Sequence, residues 1–88
     1  MRILITRPGE DGAALAEVLE TSGIETVVEP LLAIKHINGP MIDVHNVQAL
    51  LLTSANGVRA LARRTDRRDI PVYAVGDSTA TTARKEGF

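Results

Sequence analysis

The chain of 88 residues holds at most one small domain's worth of sequence, which excludes large multidomain architectures. With 44% apolar residues, 24% charged residues and a formal net charge of −1, its composition is that of a folded globular chain and excludes disordered or low-complexity classes. The absence of cysteine excludes disulfides and thiolate chemistry and suits a reducing, cytoplasmic compartment.

Met1 and Arg2 lead directly into a strand-like run, with no signal-peptide hydrophobic region. Arg2 to Thr6 (RILIT) predicts a buried strand, closed at once by Pro8-Gly9. From Gly9 to Ser22, residues Ala14, Leu15, Val18 and Leu19 share one side of a helix, with Glu17 and Glu20 opposite and Glu10 and Asp11 in the first turn, where the helix dipole favours acids. Gly23 fits the position just past the helix, and Glu25 to Glu29 (ETVVE) predicts a second strand, completing a βαβ unit. Pro30 ends that strand. Leu31 to Ile37 reads as a semi-alternating extended run, and Asn38-Gly39-Pro40 is a strong turn signal. Val47 to Thr53 predicts a third strand, followed by Ser54 as the cap of a helix from Ala55 to Arg64. Ile70 to Val75 predicts a fourth strand, and Gly76, Asp77 and Ser78 turn it into a last helix, Thr79 to Glu86, ended by Gly87.

Strands alternating with short helices imply an α/β fold with parallel pairing and right-handed crossovers, as in doubly wound sheets. The expected organisation is an opening βαβ over residues 1–29, a connector over 30–46 and the first part of a second α/β domain over 47–88. So few elements, split into two unequal groups, cannot cover both faces of a parallel sheet, and the sequence reads as the front part of something longer.

The charge is uneven. Residues 1 to 50 carry three bases against seven acids, and residues 51 to 88 carry seven bases against four acids. A basic second half favours an anionic ligand. Arg63, Arg64, Arg67 and Arg68, interspersed with Asp66 and Asp69, read instead as an exposed, solvated helix end. No uninterrupted apolar run exceeds four residues, as at Ala49 to Leu52, against the roughly 20 that span a bilayer, so no membrane partner is expected. Tyr73 and Phe88 are the only aromatics, too few for the stacking platforms of single-strand nucleic-acid binders, so no nucleic-acid partner is expected either.

In open α/β sheets ligands sit at the carboxyl ends of strands, where helix N-termini present free N–H groups. Three such junctions are predicted: Thr6-Arg7-Pro8-Gly9, Thr53-Ser54-Ala55-Asn56-Gly57 and Gly76-Asp77-Ser78-Thr79. Hydroxyl, amide and glycine residues there suit a carboxylate or phosphate, although helix capping selects the same types. Neither dinucleotide nor nucleoside-triphosphate fingerprints occur. His36 and His45 lack metal-ligand spacing, and neither Ser54 nor Ser78 sits in a nucleophile elbow, so no metal site and no serine nucleophile are expected.

As an ordered set these segments resemble a known family. Ile3-Leu4-Ile5-Thr6-Arg7-Pro8, a helix with Leu15-Ala16 and Leu19, Gly23-Ile24, and Glu29-Pro30-Leu31-Leu32-Ala33-Ile34 are similar to the opening of uroporphyrinogen-III synthase. Leu52-Thr53-Ser54-Ala55-Asn56-Gly57-Val58 and Val75-Gly76-Asp77-Ser78-Thr79-Ala80 resemble that family's Thr-Ser-x-Asn-x-Val strand end and Val-Gly-x-x-Thr-Ala turn. The resemblance implies a partial two-domain fold with a hinge of paired extended segments. It also implies a cytoplasmic lyase of tetrapyrrole (heme, porphyrin) biosynthesis that cyclises hydroxymethylbilane, inverting the last pyrrole ring and losing water, without metal or organic cofactor. Its small-molecule partner is a polycarboxylate tetrapyrrole, and Arg7, Thr53, Ser54, Asn56 and Thr79 fall on the cleft wall in binding and orienting roles.

Family members are longer, and the Tyr that assists loss of the hydroxyl group belongs to the part absent here. Tyr73, inside a strand, reads as a core residue. The 88 residues alone are expected to be inactive and to hide their open sheet edges by forming a homo-oligomer. Two other readings stand beside this one. The first is a non-catalytic α/β binding or regulatory module, against which Arg7-Pro8-Gly9 replaces the acidic cluster of a receiver and the phosphate loop of a flavin module. The second is an interaction fragment that dimerises through unpaired edges.

Overall fold

The computed structural model describes residues 1–88. The chain is mixed α/β with two parallel strand pairs, in the order strand, helix, strand, strand, helix, strand, helix. The elements gather into two compact units, Met1–Lys35 and His36–Phe88.

The first unit is a βαβ. Strand β1 (Arg2–Ile5) pairs in parallel with β2 (Glu25–Val28), with Arg2 opposite Glu25 and Ile5 opposite Val28. Parallel strands cannot be joined by a hairpin, so helix α1 (Gly9–Thr21) carries the chain back. Strand alternation puts Ile5 in the core and leaves Leu4 63% exposed on the opposite face. The inward stripe of α1 differs from the expected one. Gly12 and Ala16 are buried and Leu15 and Leu19 half-buried, at the three- and four-residue spacing of one helix face, whereas Ala14 and Val18 point to solvent. The expected stripe mixed two faces: Val18 follows Ala16 by two residues, which turns it well away from the sheet. The helix ends in a left-handed glycine motif, in which Gly23 at φ +80 donates its N–H to the Glu20 carbonyl and Ile24 donates to that of Leu19.

The second unit repeats strand, helix, strand, helix. Strand β3 (Leu50–Leu52) pairs in parallel with β4 (Val72–Ala74), with Leu52 opposite Ala74. Helices α2 (Ala55–Ala62) and α3 (Asp77–Lys85) pack on each other and on the face formed by Leu50, Leu52, Val72 and Ala74. Val58, Ile70, Ala83, Val44 and the hydroxyl residue Thr65 fill its core. Strands β3 and β4, at three residues each, are shorter than the apolar runs that announced them. Helix α3 starts two residues earlier than expected, because Gly76 takes the cap position.

Only one face of β3–β4 is covered. On the other, Leu51 and its register partner Tyr73 are 70% and 66% exposed. Tyr73 is therefore not a core residue, contrary to its sequence context, because a strand covered on one side buries only alternate residues.

Residues 29–49 form no helix or strand, so the extended run expected at Leu31 to Ile37 pairs with nothing beyond a long Leu31 N–H to Thr6 carbonyl contact (3.4 Å). The later part of this segment is nevertheless fixed within the second unit. Arg64 donates from Nε and Nη2 to the Pro40 carbonyl (3.1 and 3.0 Å), and its own carbonyl accepts from Ile42 N–H at 2.7 Å.

The arginine-rich stretch is thus more than a solvated helix end. Arg63 is exposed and Arg67 forms a two-pronged pair with Asp69 (2.7 and 3.0 Å), but Arg64 and Arg68 are half-buried structural ties. Arg68 donates to the carbonyls of Ala62, Thr65, Arg67 and Glu86, at 3.3, 2.7, 2.9 and 2.8 Å, and stacks over the Phe88 ring at 4.4 Å. One guanidinium thereby satisfies carbonyls at the C-terminal ends of both α2 and α3, where the dipole also favours a cation. Arg68→Ala is expected to lower stability by about 2 kcal/mol, the scale of hydrogen bonds to a charged donor. Arg68→Lys should recover little of it, since a point charge cannot span the same carbonyls. Urea unfolding measures both, and equal stability of the parent and the Ala variant would remove Arg68 from this role.

Candidate functional site

The carboxyl ends of β3 and β4 lie side by side, since Leu52 and Ala74 are register partners and Val75 N–H donates to the Leu52 carbonyl at 2.9 Å. Each strand then runs straight into a helix N-terminus. This pairing brings Thr53, Ser54 and Asn56 next to the Gly76–Thr79 turn. Arg7 belongs to the first unit, exposed in the turn after β1.

Ser54 is extended (φ −153, ψ 153) and its Oγ accepts from Gly57 N–H at 2.9 Å, a regular N-cap. The serine therefore stabilises its helix whether or not it meets a ligand. Asn56, half-buried, accepts at Oδ1 from Arg59 Nη2 at 2.7 Å. Arg59 was not anticipated from the sequence. The signal was its position three residues after Asn56 on a helix, which puts both on one face. Helix α2 carries no acid in its first turn, whereas α1 has Glu10 and Asp11 and α3 has Asp77. Of the three N-termini, α2 is thus the one whose positive end is not already offset by a carboxylate.

The α3 junction works differently. Gly76 takes φ +86 and ψ 157, a region essentially closed to residues with a Cβ, and offers no side-chain cap. Thr79, in the first turn of α3, is only 5% exposed. Thr53 and Ser54 are exposed.

On the β1 side, the Arg7 carbonyl lies so close to α1 that a Cβ on Gly12 would come within 2.8 Å of it. Gly12 lets the turn that bears Arg7 fold down against the helix.

A cavity lies elsewhere in the second unit. It measures about 380 Å³ and follows β4 and α3, walled by Ile70, Val72, Ala74, Ala80, Ala83 and Phe88. Arg68, Asp69 and Arg84 also line it, so its walls are mixed in character. The Asp69 carboxylate is held below its usual range by its hydrogen bonds from Arg67. No group of three His, Cys, Asp or Glu side chains gathers anywhere, and no helix is long and apolar enough to cross a membrane.

Two substitutions probe this local architecture. Ser54→Ala is expected to cost about 1 kcal/mol through loss of the cap, read as a lowered urea midpoint; an unchanged midpoint would mean that water caps α2 equally well. Gly12→Ala should destabilise, because strain of about 1 to 3 kcal/mol against a backbone carbonyl outweighs the roughly 1 kcal/mol gained in helix propensity. A stabilised Gly12→Ala chain would show that the Arg7 turn moves aside freely.

Among curated proteins no match to the chain was found. The family described as uroporphyrinogen-III synthase HemD matches residues 13–88, which takes in most of α1 and every later element but leaves β1 and Arg7 outside. Spanning well over half of the sequence, this match shows that the chain belongs to the uroporphyrinogen-III synthase family.

Proposed function

We propose that these residues form part of a cytoplasmic, cofactor-free lyase that closes hydroxymethylbilane to uroporphyrinogen III, inverting the last pyrrole ring with loss of water. The observation that carries this reading is the adjacent placement of the α2 and α3 N-termini at the ends of β3 and β4, in a chain of this family. A tetrapyrrole bearing many carboxylates is recognised by several short-range donors and positive dipole ends rather than by one strong cation.

In this reading Ser54 and Thr53 offer hydroxyls, and Asn56 offers its amide N–H₂, oriented because Oδ1 is already engaged by Arg59. Thr79 in the second unit and Arg7 in the first are the other binding positions that the family resemblance carries over. The rearrangement of a linear to a ring-inverted product asks for positioning more than for strong acid or base, and none of these residues is assigned a proton-transfer role.

The 88 residues alone are expected to bind without turning over. All three junctions sit on two-stranded sheets with one face open, at Leu4 and at Leu51 and Tyr73, and such sheets are marginal. Precise positioning can be worth roughly 7 to 11 kcal/mol, and loosely held walls forfeit much of it. Association of copies through the unpaired edges of these sheets belongs to the same reading.

Titration of the chain with uroporphyrinogen III tests the site. Ser54→Ala, Asn56→Ala and Thr79→Val should each weaken binding by about tenfold, near 1.4 kcal/mol, as should Arg7→Ala. Unchanged affinity in the first three removes the assignment. For turnover, the measured quantity is the ratio of isomer III to the isomer I that forms unaided. No excess of isomer III is expected from the 88 residues, and a clear excess would mean that they hold the whole catalytic apparatus.

A further inference from the structure

The chain contains two Asn-Gly dipeptides, Asn38-Gly39 and Asn56-Gly57, and the fold treats them oppositely. We propose that Asn38 is a site of spontaneous deamidation, while the cap of α2 protects Asn56.

In this reaction the backbone nitrogen of the glycine attacks the side-chain carbonyl carbon of the asparagine. The new N–Cγ bond forms as the Cγ–Nδ2 bond breaks, the glycine amide proton passes through solvent to the leaving group, and ammonia departs. Water then opens the five-membered imide at either carbonyl, giving aspartate or isoaspartate. The net change is ammonia lost and water gained, without any oxidant or reductant. Glycine in the second position helps because no Cβ hinders the approach and the backbone can adopt the required angles.

Both requirements are met at residue 38. Asn38 and Gly39 are exposed and lie in neither helix nor strand. No group of the protein accepts from Gly39 N–H or pairs with the Asn38 amide, so the nucleophile and the electrophile are both free. Arg64 lies against the glycine. A Cβ built on Gly39 would lie 3.0 Å from Arg64 Nη2, so the guanidinium that holds the Pro40 carbonyl covers one side of the glycine.

At residue 56 each requirement fails. Gly57 N–H is committed to Ser54 Oγ at 2.9 Å, Asn56 Oδ1 is committed to Arg59 at 2.7 Å, and both residues are locked in helical dihedrals that keep the nitrogen away from Cγ. The serine cap thus has a second role, preserving the chemical identity of an amide at the strand end.

Deamidation places a new carboxylate, or in the iso form an extra backbone methylene, beside the residue against which Arg64 rests. The test is to incubate the native 88-residue chain at mildly alkaline pH and to map peptides by mass and by enzymatic isoaspartate detection. The Asn38 peptide should convert at least about tenfold faster than the Asn56 peptide, the protection expected of local structure that must open first. In urea both should convert at similar rates, and Asn38→Gln should abolish the fast product. Ser54→Ala should raise conversion at Asn56 in the native chain. Equal rates at the two positions in the native chain, or a native chain inert at Asn38 while the urea-treated chain reacts, would overturn the proposal.

Discussion

A parallel pair of strands leaves the chain at the wrong end each time, and a helix must bring it back. That requirement organises both units. It sends every strand of β1, β3 and β4 out toward a helix N-terminus, and in the second unit it lays two such exits next to each other. The polar residues of the candidate site need no separate device to converge. Thr53 through Asn56 and Gly76 through Thr79 meet because Leu52 and Ala74 are opposite each other in the ladder.

The same geometry creates its own difficulty at the other end of the helices, where carbonyls are left without partners. In α1 and α3 a left-handed glycine closes the last turn, with Phe88 N–H donating to the Ala83 carbonyl at 2.9 Å in α3. For α2 no such glycine exists. Arg68 reaches back to the Ala62 carbonyl instead and, in the same fork, holds the Glu86 carbonyl of α3. A basic cluster that looks like surface charge is in this way the fastening of two helix ends, and Arg64 does the equivalent for residues 40–42.

How much of this was legible follows from what each feature depends on. Elements governed by local periodicity and punctuation could be read directly. The four strands, the three helices and Gly23 and Gly87 as helix stops all answer to short-range chemistry. The capping role of Ser54 was legible for the same reason. Features set by long-range partners were not. Nothing near Arg68 in the sequence announces carbonyls eighteen residues away in Glu86, and the burial of Thr79 depends on how α2 and α3 pack. Val18 and Tyr73 went astray for a related reason: apolar character places a residue in an element, but the choice of face depends on which side a neighbour covers.

Tyr73 has an optical corollary. It is the only tyrosine in a chain without tryptophan, so near-ultraviolet absorption and emission come almost wholly from one ring. That ring stands on the open face of β3–β4, opposite Leu51, in water. Its spectrum is consequently blind to the packing of α2 and α3 on the other side of the sheet. It responds directly when another surface settles over that face.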